Sequence, residues 1–146
     1  MGMRIAIASD HAGFELKEHV KTQLTAAGHD VVDVGPVSDE SVDYPRYAAP
    51  AARLVAEGDA ERGVLVCGSG VGVSIVANKV PGVRAVNAHD PEEAQLARAH
   101  NDVNVVTLSG RRLDHEQADA IVEAFLGESF EGGRHSRRVA AIEPQQ

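Results

Sequence analysis

The sequence predicts an α/β fold built on a parallel β-sheet with helices on both faces. Three observations predict it. Short apolar runs recur that are too short for helices. Segments of helical period stand between them. Turn chemistry closes most boundaries. The length of 146 residues allows one compact domain, residues 1–146, and a chain of that size buries roughly 70% of its unfolded surface.

Arg4-Ile5-Ala6-Ile7-Ala8-Ser9 reads as a buried strand ending in polar residues. Phe14, Leu16, Val20 and Leu24 make an apolar stripe at helical spacing, stopped by Gly28. Val31-Val32 begins a second strand. Residues 35–46 carry loop chemistry in Gly35-Pro36, Ser38, Asp39, Ser41 and Tyr44-Pro45. A helix is expected from Tyr47 to Glu57, closed by Gly58, with Pro50 disturbing its first turns. Gly63 to Cys67 is a third strand, followed by Gly68-Ser69-Gly70-Val71-Gly72 and a helix ending near Lys79. Val83–Val86 and Val103–Leu108 are the fourth and fifth strands, with a helix from Pro91 to His100 between them. A helix from His115 to Leu126 is closed by Gly127. After Gly132-Gly133, the basic cluster Arg134, Arg137 and Arg138 predicts a helical tail from about residue 133 that leaves the body of the fold. A polar end follows it.

Composition excludes several classes. Apolar residues are 43% and charged residues 25%, ordinary for a globular protein. No run approaches the ~20 apolar residues of a membrane helix, and Met1-Gly2-Met3-Arg4 opens no secretory pattern, so a cytoplasmic protein without a membrane partner is expected. The net charge of −8 and the 3% of aromatic residues argue against a nucleic-acid partner. A lone cysteine makes neither an internal disulfide nor a cysteine-based zinc site.

Ligands of open parallel sheets bind beyond the carboxyl ends of the strands. The candidates there are Ser9 to Gly13, Cys67 to Gly72, Asn87 to Asp90, and Ser109 to Arg112. The glycine loop 68–72 lets backbone approach a ligand, and the helix after it favours an anion; the bland alternative is a tight turn. It is no dinucleotide fingerprint and no cysteine-phosphatase loop, because Val73 stands where those need glycine or arginine. It also lacks the Gly-Lys-Ser/Thr of a P-loop. Cys67 reads either as a small buried hydrophobe or as a thiolate near a helix N-terminus. Asp10 is a helix cap or a ligand group beside His11. His100, with Asn101, is either a helix-end histidine or a functional one. The histidines at 19, 29, 89, 115 and 135 have no metal-site spacing. Arg134 and Arg138, four apart, share a helix face that suits a phosphate, although arginine outnumbers lysine 11 to 3 throughout the chain.

Together these pieces resemble the ribose-5-phosphate isomerase B family, which includes galactose-6-phosphate and allose-6-phosphate isomerases. The resemblance rests on Ser9-Asp10-His11-Ala12-Gly13-Phe14, Asp43-Tyr44-Pro45, Cys67-Gly68-Ser69-Gly70-Val71-Gly72, Ala77-Asn78-Lys79, Gly82-Val83-Arg84-Ala85, His100-Asn101-Asp102-Val103-Asn104 and Gly133-Arg134-His135-Ser136-Arg137-Arg138. It implies a Rossmann-like three-layer αβα sandwich with a five-stranded parallel sheet. It implies a homodimer or dimer of dimers with shared active sites, and no metal or organic cofactor. The activity it implies is interconversion of D-ribose 5-phosphate and D-ribulose 5-phosphate through an enediolate. Alternatives are another sugar phosphate (tetrose 4-phosphate, allose 6-phosphate or galactose 6-phosphate) or a non-catalytic sugar-phosphate-binding domain.

The resemblance assigns Cys67 as the base between C1 and C2. Ser69 and the amides of Gly68, Gly70, Val71 and Gly72 hold the enediolate oxygens. His100 serves ring opening. Asp10 and His11 contact the sugar, Asn101 its oxygens, and Arg111, Arg134 and Arg138 the phosphate, with Tyr44 lining the site. Some relatives carry a glutamate where this chain has Val73 and lack a cysteine at position 67, which leaves Cys67 as the expected base here.

Overall fold

The computed structural model describes residues 2–143; Met1 and most of the expected polar end, residues 144–146, lie outside the described residues. The strands are β1 (Arg4–Ser9), β2 (Asp30–Gly35), β3 (Arg62–Cys67), β4 (Ala85–Asn87) and β5 (Val105–Ser109). The helices are α1 (Phe14–Ala26), α2 (Pro45–Ala56), α3 (Val71–Asn78), α4 (Pro91–Asn101), α5 (His115–Gly127) and α6 (Arg134–Ala140). All strand pairs are parallel, in the order β2-β1-β3-β5-β4.

Side chains alternate between two apolar layers, as the pleat requires. Ile5, Ile7, Val64, Val66, Val106 and Leu108 pack against residues of α1, α4 and α5. Ala6, Ala8, Leu65, Cys67 and Val105 face the other way, against Ala48, Ala51 and Ala52 of α2 and Val73 and Ala77 of α3. With both faces covered, the central strands read as continuous apolar runs rather than alternating ones.

Boundaries differ from the sequence expectation where side chains replace ladder bonds. Helix α2 starts at Pro45, whose fixed φ and missing N–H suit a first turn, and it continues through Pro50. Strand β4 begins at Ala85 rather than Val83, because Val83 closes a turn on Val80 (3.1 Å) and the Arg84 amide donates to Asn104 Oδ1 (2.8 Å). Helices α4 and α5 start where Asp90 and Asp114 accept the amides of Glu93 (2.8 Å) and Gln117 (2.7 Å). Arg134–Ala140 forms α6, and the approach to it is tethered: the Glu131 amide donates to Ala99 O at the end of α4 (2.9 Å).

The chain winds from β1 out to β2 and then returns to place β3 on β1's other side. The loops after β1 and β3 therefore diverge at a topological switch point, the crevice where open α/β sheets bind ligands.

Candidate active site

The backbone loops after β1, β3 and β5 close on one another at this crevice. A side chain on Gly110 would meet Ala12 O at 2.9 Å, and one on Gly13 would meet Val66 O at 2.6 Å. The Gly110 amide donates to Cys67 O at 2.8 Å. Asp10 is buried, and its Oδ1 accepts the Gly13 amide at 2.9 Å, which closes the turn before α1; the helix itself begins at Gly13 without a side-chain cap, so Asp10 is not its cap. His11 Nδ1 lies 3.1 Å from both the amide nitrogen and the carbonyl oxygen of Val42; one tautomer accepts and the other donates. That contact ties the β1 loop to the loop that carries Tyr44.

The glycine loop is oriented by bonds to its carbonyls. Ser109 Oγ donates to Gly68 O (2.7 Å), Asn87 Nδ2 to Ser69 O (3.3 Å) and Thr107 Oγ1 to Gly70 O (2.9 Å). A trans peptide carries its C=O and N–H on opposite sides. Pinning these three carbonyls toward β4 and β5 turns the amides of Ser69, Gly70 and Val71 the other way. Val71's amide goes to Ser69 Oγ at 3.1 Å. Such a run of amides beginning a helix is an anion-binding concavity. Gly70 adopts φ +78°, the left-handed conformation that lets the loop turn into α3.

Around this loop the structure assembles most of the carboxyl-edge candidates. Cys67 ends β3 at 4% exposure. The Arg111 guanidinium lies over Gly68, with Nε and Cζ 3.1 Å from where a Cβ would stand, and its amide donates to Gly68 O at 3.1 Å. The Tyr44 ring lies over Gly72, 2.9 Å from such a Cβ. Val73 is fully buried among apolar residues, so it offers the crevice no polar group.

The remaining candidates lie elsewhere. Helix α4 starts at the carboxyl edge and returns to the opposite one, so His100 and Asn101 stand where β5 is about to begin. At about 3.3 Å per residue, β5 alone puts roughly 13 Å of sheet between them and the Cys67 edge. Arg134 and Arg138 are exposed on α6 and belong to this second group. Asp102, at φ +49°, ends α4, and its carboxylate accepts from Arg98 (3.0 Å) and Arg84 (3.3 Å).

Here His100 has companions that spacing did not mark. The His135 ring stacks on it at 4.5 Å between centroids and 15° between planes. Glu131 lies 3.4 Å from His100 Nε2 and 3.8 Å from His135 Nε2. Desolvation, with the like charges of His100, Arg134 and Arg138 and against Glu131, holds the His135 imidazole below its ordinary pKa. The sequence signal available for this pair was the four-residue step from Glu131 to His135. Thr107, inside β5, had no visible mark of its contact with the loop.

The ribose/galactose isomerase family model matches residues 5–142. Ribose-5-phosphate isomerase B of Escherichia coli is 48% identical over 139 residues, 95% of this chain and 93% of the relative. The crystal structure of a ribose 5-phosphate isomerase from Thermotoga maritima superposes with a TM-score of 0.95 at 48% identity, covering 98% of this chain and 99% of that one. A ribose-5-phosphate isomerase B from Mycoplasma genitalium, solved with bound ribulose-5-phosphate, gives 0.92 at 43% identity, with 97% and 95% covered. Matched along nearly its whole length in sequence and in fold, this chain belongs to the ribose/galactose isomerase family.

Proposed function

We propose that this protein interconverts D-ribose 5-phosphate and D-ribulose 5-phosphate, with each active site built from two copies of the chain. The observation that carries the reading is the glycine loop. Its carbonyls are bonded back into the sheet, which turns the amides of Ser69 and Gly70 the other way, and the loop follows directly on Cys67, the one thiol of the chain. That arrangement offers donors for a developing enediolate next to a base.

In this reading the Cys67 thiolate removes the proton from C2 of the open aldose. The electron pair moves into an enediolate whose oxygens take hydrogen bonds from Ser69 and the loop amides, and the thiol returns the proton to C1. Preorganised donors of this type are worth about 3–4 kcal/mol each in other oxyanion sites. Asp10, His11 and Tyr44 contact the sugar, and Arg111 faces its phosphate. His100 exchanges the proton needed to open the furanose ring, Asn101 holds sugar oxygens, and Arg134 and Arg138 clamp the phosphate.

The two edges of one sheet are too far apart for one substrate to use both, so the His100 group serves the Cys67 crevice of a second copy. Tyr44, Val71 and Ile75 support this: they are apolar, 40%, 50% and 55% exposed, and stand beside the glycine loop where such a copy would cover them. A dimer or dimer of dimers satisfies this arrangement. Among the described residues no helix is long and apolar enough to cross a membrane. The same reading places the protein in the cytoplasm, where a lone thiol stays reduced.

The test is a comparison of kcat/KM for phosphorylated tetroses, pentoses and hexoses in deuterated water. Highest turnover on the pentose pair, with solvent deuterium entering at C1 or C2, is expected. Preference for a hexose overturns the substrate assignment. Binding with neither turnover nor exchange overturns the enzyme itself.

A further inference from the structure

We infer that His100, Glu131 and His135 form a site for one divalent transition-metal ion of the zinc type, and that an ion bound there withdraws His100 from acid–base use. The inhibitory part rests on the function proposed above; the binding part does not.

The geometry is convergent. One ligand atom from each of the three residues lies within 4.8 Å of the others, and among the described residues no other group of three meets that condition. Both imidazole Nε2 atoms face the same carboxylate, at 3.4 and 3.8 Å. In a tetrahedral zinc site with bonds of about 2.1 Å, neighbouring ligand atoms are about 3.4 Å apart. Small side-chain rotations therefore bring all three onto one ion.

The roots of the three side chains are held. Glu131 is bonded through its amide to Ala99 O (2.9 Å), next to His100 in the chain, and the His135 amide donates to Gly132 O (3.0 Å). Two imidazoles and one carboxylate suit zinc, and three protein ligands leave one position for water or an anion. Arg134 and Arg138 repel a dication, which keeps the affinity below that of a closed structural site and the binding reversible.

The other stacked histidine pair lacks this convergence. His19 and His115 lie 3.8 Å apart between centroids, but His19 Nε2 takes Asp119 (2.9 Å) and His115 Nε2 takes Glu15 (2.7 Å). Stacking alone is common to both pairs; a shared carboxylate belongs to the His100 pair.

The chemistry then follows from occupancy. A metal on Nε2 of His100 uses the lone pair that would accept the sugar's proton. No covalent step or electron transfer is involved, and a chelator reverses it.

The experiment titrates zinc chloride into the EDTA-treated, untagged full-length protein by calorimetry in a buffer free of phosphate. A Cys67→Ser background is run in parallel to remove the thiol as a competing ligand. One ion per chain is expected, with the His100 and His135 imidazole resonances moving together. His135→Ala and Glu131→Gln should each weaken binding at least about tenfold, while His19→Ala should not. Glu131 is exposed, so its variant decides the matter should His135→Ala fold poorly. Absence of binding, or unchanged affinity in Glu131→Gln, overturns the site. In the wild type, zinc should slow isomerisation and EDTA restore it, and Glu131→Gln should escape that slowing, which inhibition through the Cys67 thiolate would leave in place. Binding without loss of a measurable isomerase rate overturns the inhibitory part. In a protein without isomerase activity the calorimetry still decides the site.

Discussion

Asn87 Oδ1 occupies the space in which a side chain on Gly70 would begin, and a Cβ built there overlaps it. Strand β4 and the glycine loop are thus closed on each other at van der Waals contact, with the same Asn87 side chain donating to Ser69 O.

Gly70→Ala is accordingly expected to lose stability twice over, from a positive φ and from the clash. Gly58 supplies the control: its φ is +80°, and nothing lies within 4 Å of its would-be Cβ. Gly58→Ala should cost about 1–2 kcal/mol from strain alone. Gly70→Ala should cost roughly 1–3 kcal/mol more, as overpacking does elsewhere, and should lose turnover as the loop amides shift. Denaturant midpoints of the two variants measure the difference.

Cys67→Ser should remove most of the activity while sparing substrate affinity, because an alcohol is too weak an acid to replace the thiol as base. Alkylation offers an independent measurement. Cys67 is the one cysteine of the chain, so mass spectrometry reports its modification directly, and saturating substrate should slow it. Near-normal turnover in the serine variant removes Cys67 from the mechanism.

His100→Asn should slow ring opening more than proton transfer. Ribulose 5-phosphate carries its phosphate on the hydroxyl that a furanose would need, so it enters the reaction open-chain. Pre-steady-state exchange of its C1 proton then reads the isomerisation step without prior opening of a ring. An equal loss in both steps would assign His100 to proton transfer or to packing instead.

Mixed dimers test the division of the site between subunits. Arg138→Ala should raise KM by roughly ten- to a hundredfold, since a charged hydrogen bond is worth about 1.5–3 kcal/mol. Inactive Cys67→Ser chains, re-associated with Arg138→Ala chains, should recover activity, because one of the two sites in each heterodimer is then intact. Heterodimers that form and stay inactive would refute the shared site and leave the isomerase assignment standing.

Acid stability should depend on Asp33. Burial opposes its charge, but hydrogen bonds from Lys17 and Lys21, the Lys17 charge and the Gly35 amide outweigh burial and hold its carboxyl below the ordinary range. The stability this confers is present above the unfolded value near 3.9 and is lost as pH falls through the lower folded value. Asp33→Asn should flatten that part of the acid unfolding curve. The variant should also be less stable at pH 7, since it leaves the fully buried Lys17 without its closest carboxylate (2.9 Å). Urea unfolding between pH 2 and pH 5 measures both effects.

The sequence by itself determined the alternation of strands and helices, the glycine loop and the thiol at the end of β3. These features are written in local periodicity and in backbone requirements that few residues meet. The helix ends at Asp90 and Asp114 were as local, since each cap bonds an amide three residues on. Tertiary structure decided what no window of the sequence contains. Inserting β5 between β3 and β4 brings Ser109, Thr107 and Asn87 under the loop carbonyls, and those bonds decide which way the amides face. The return of α4 carries His100 to the edge opposite Cys67, and the tether at Ala99 brings Glu131 and His135 to it. Local propensity fixes elements because its partners are three or four residues away; the bonds that orient the glycine loop join residues 18 to 41 apart, which only the packed sheet can choose.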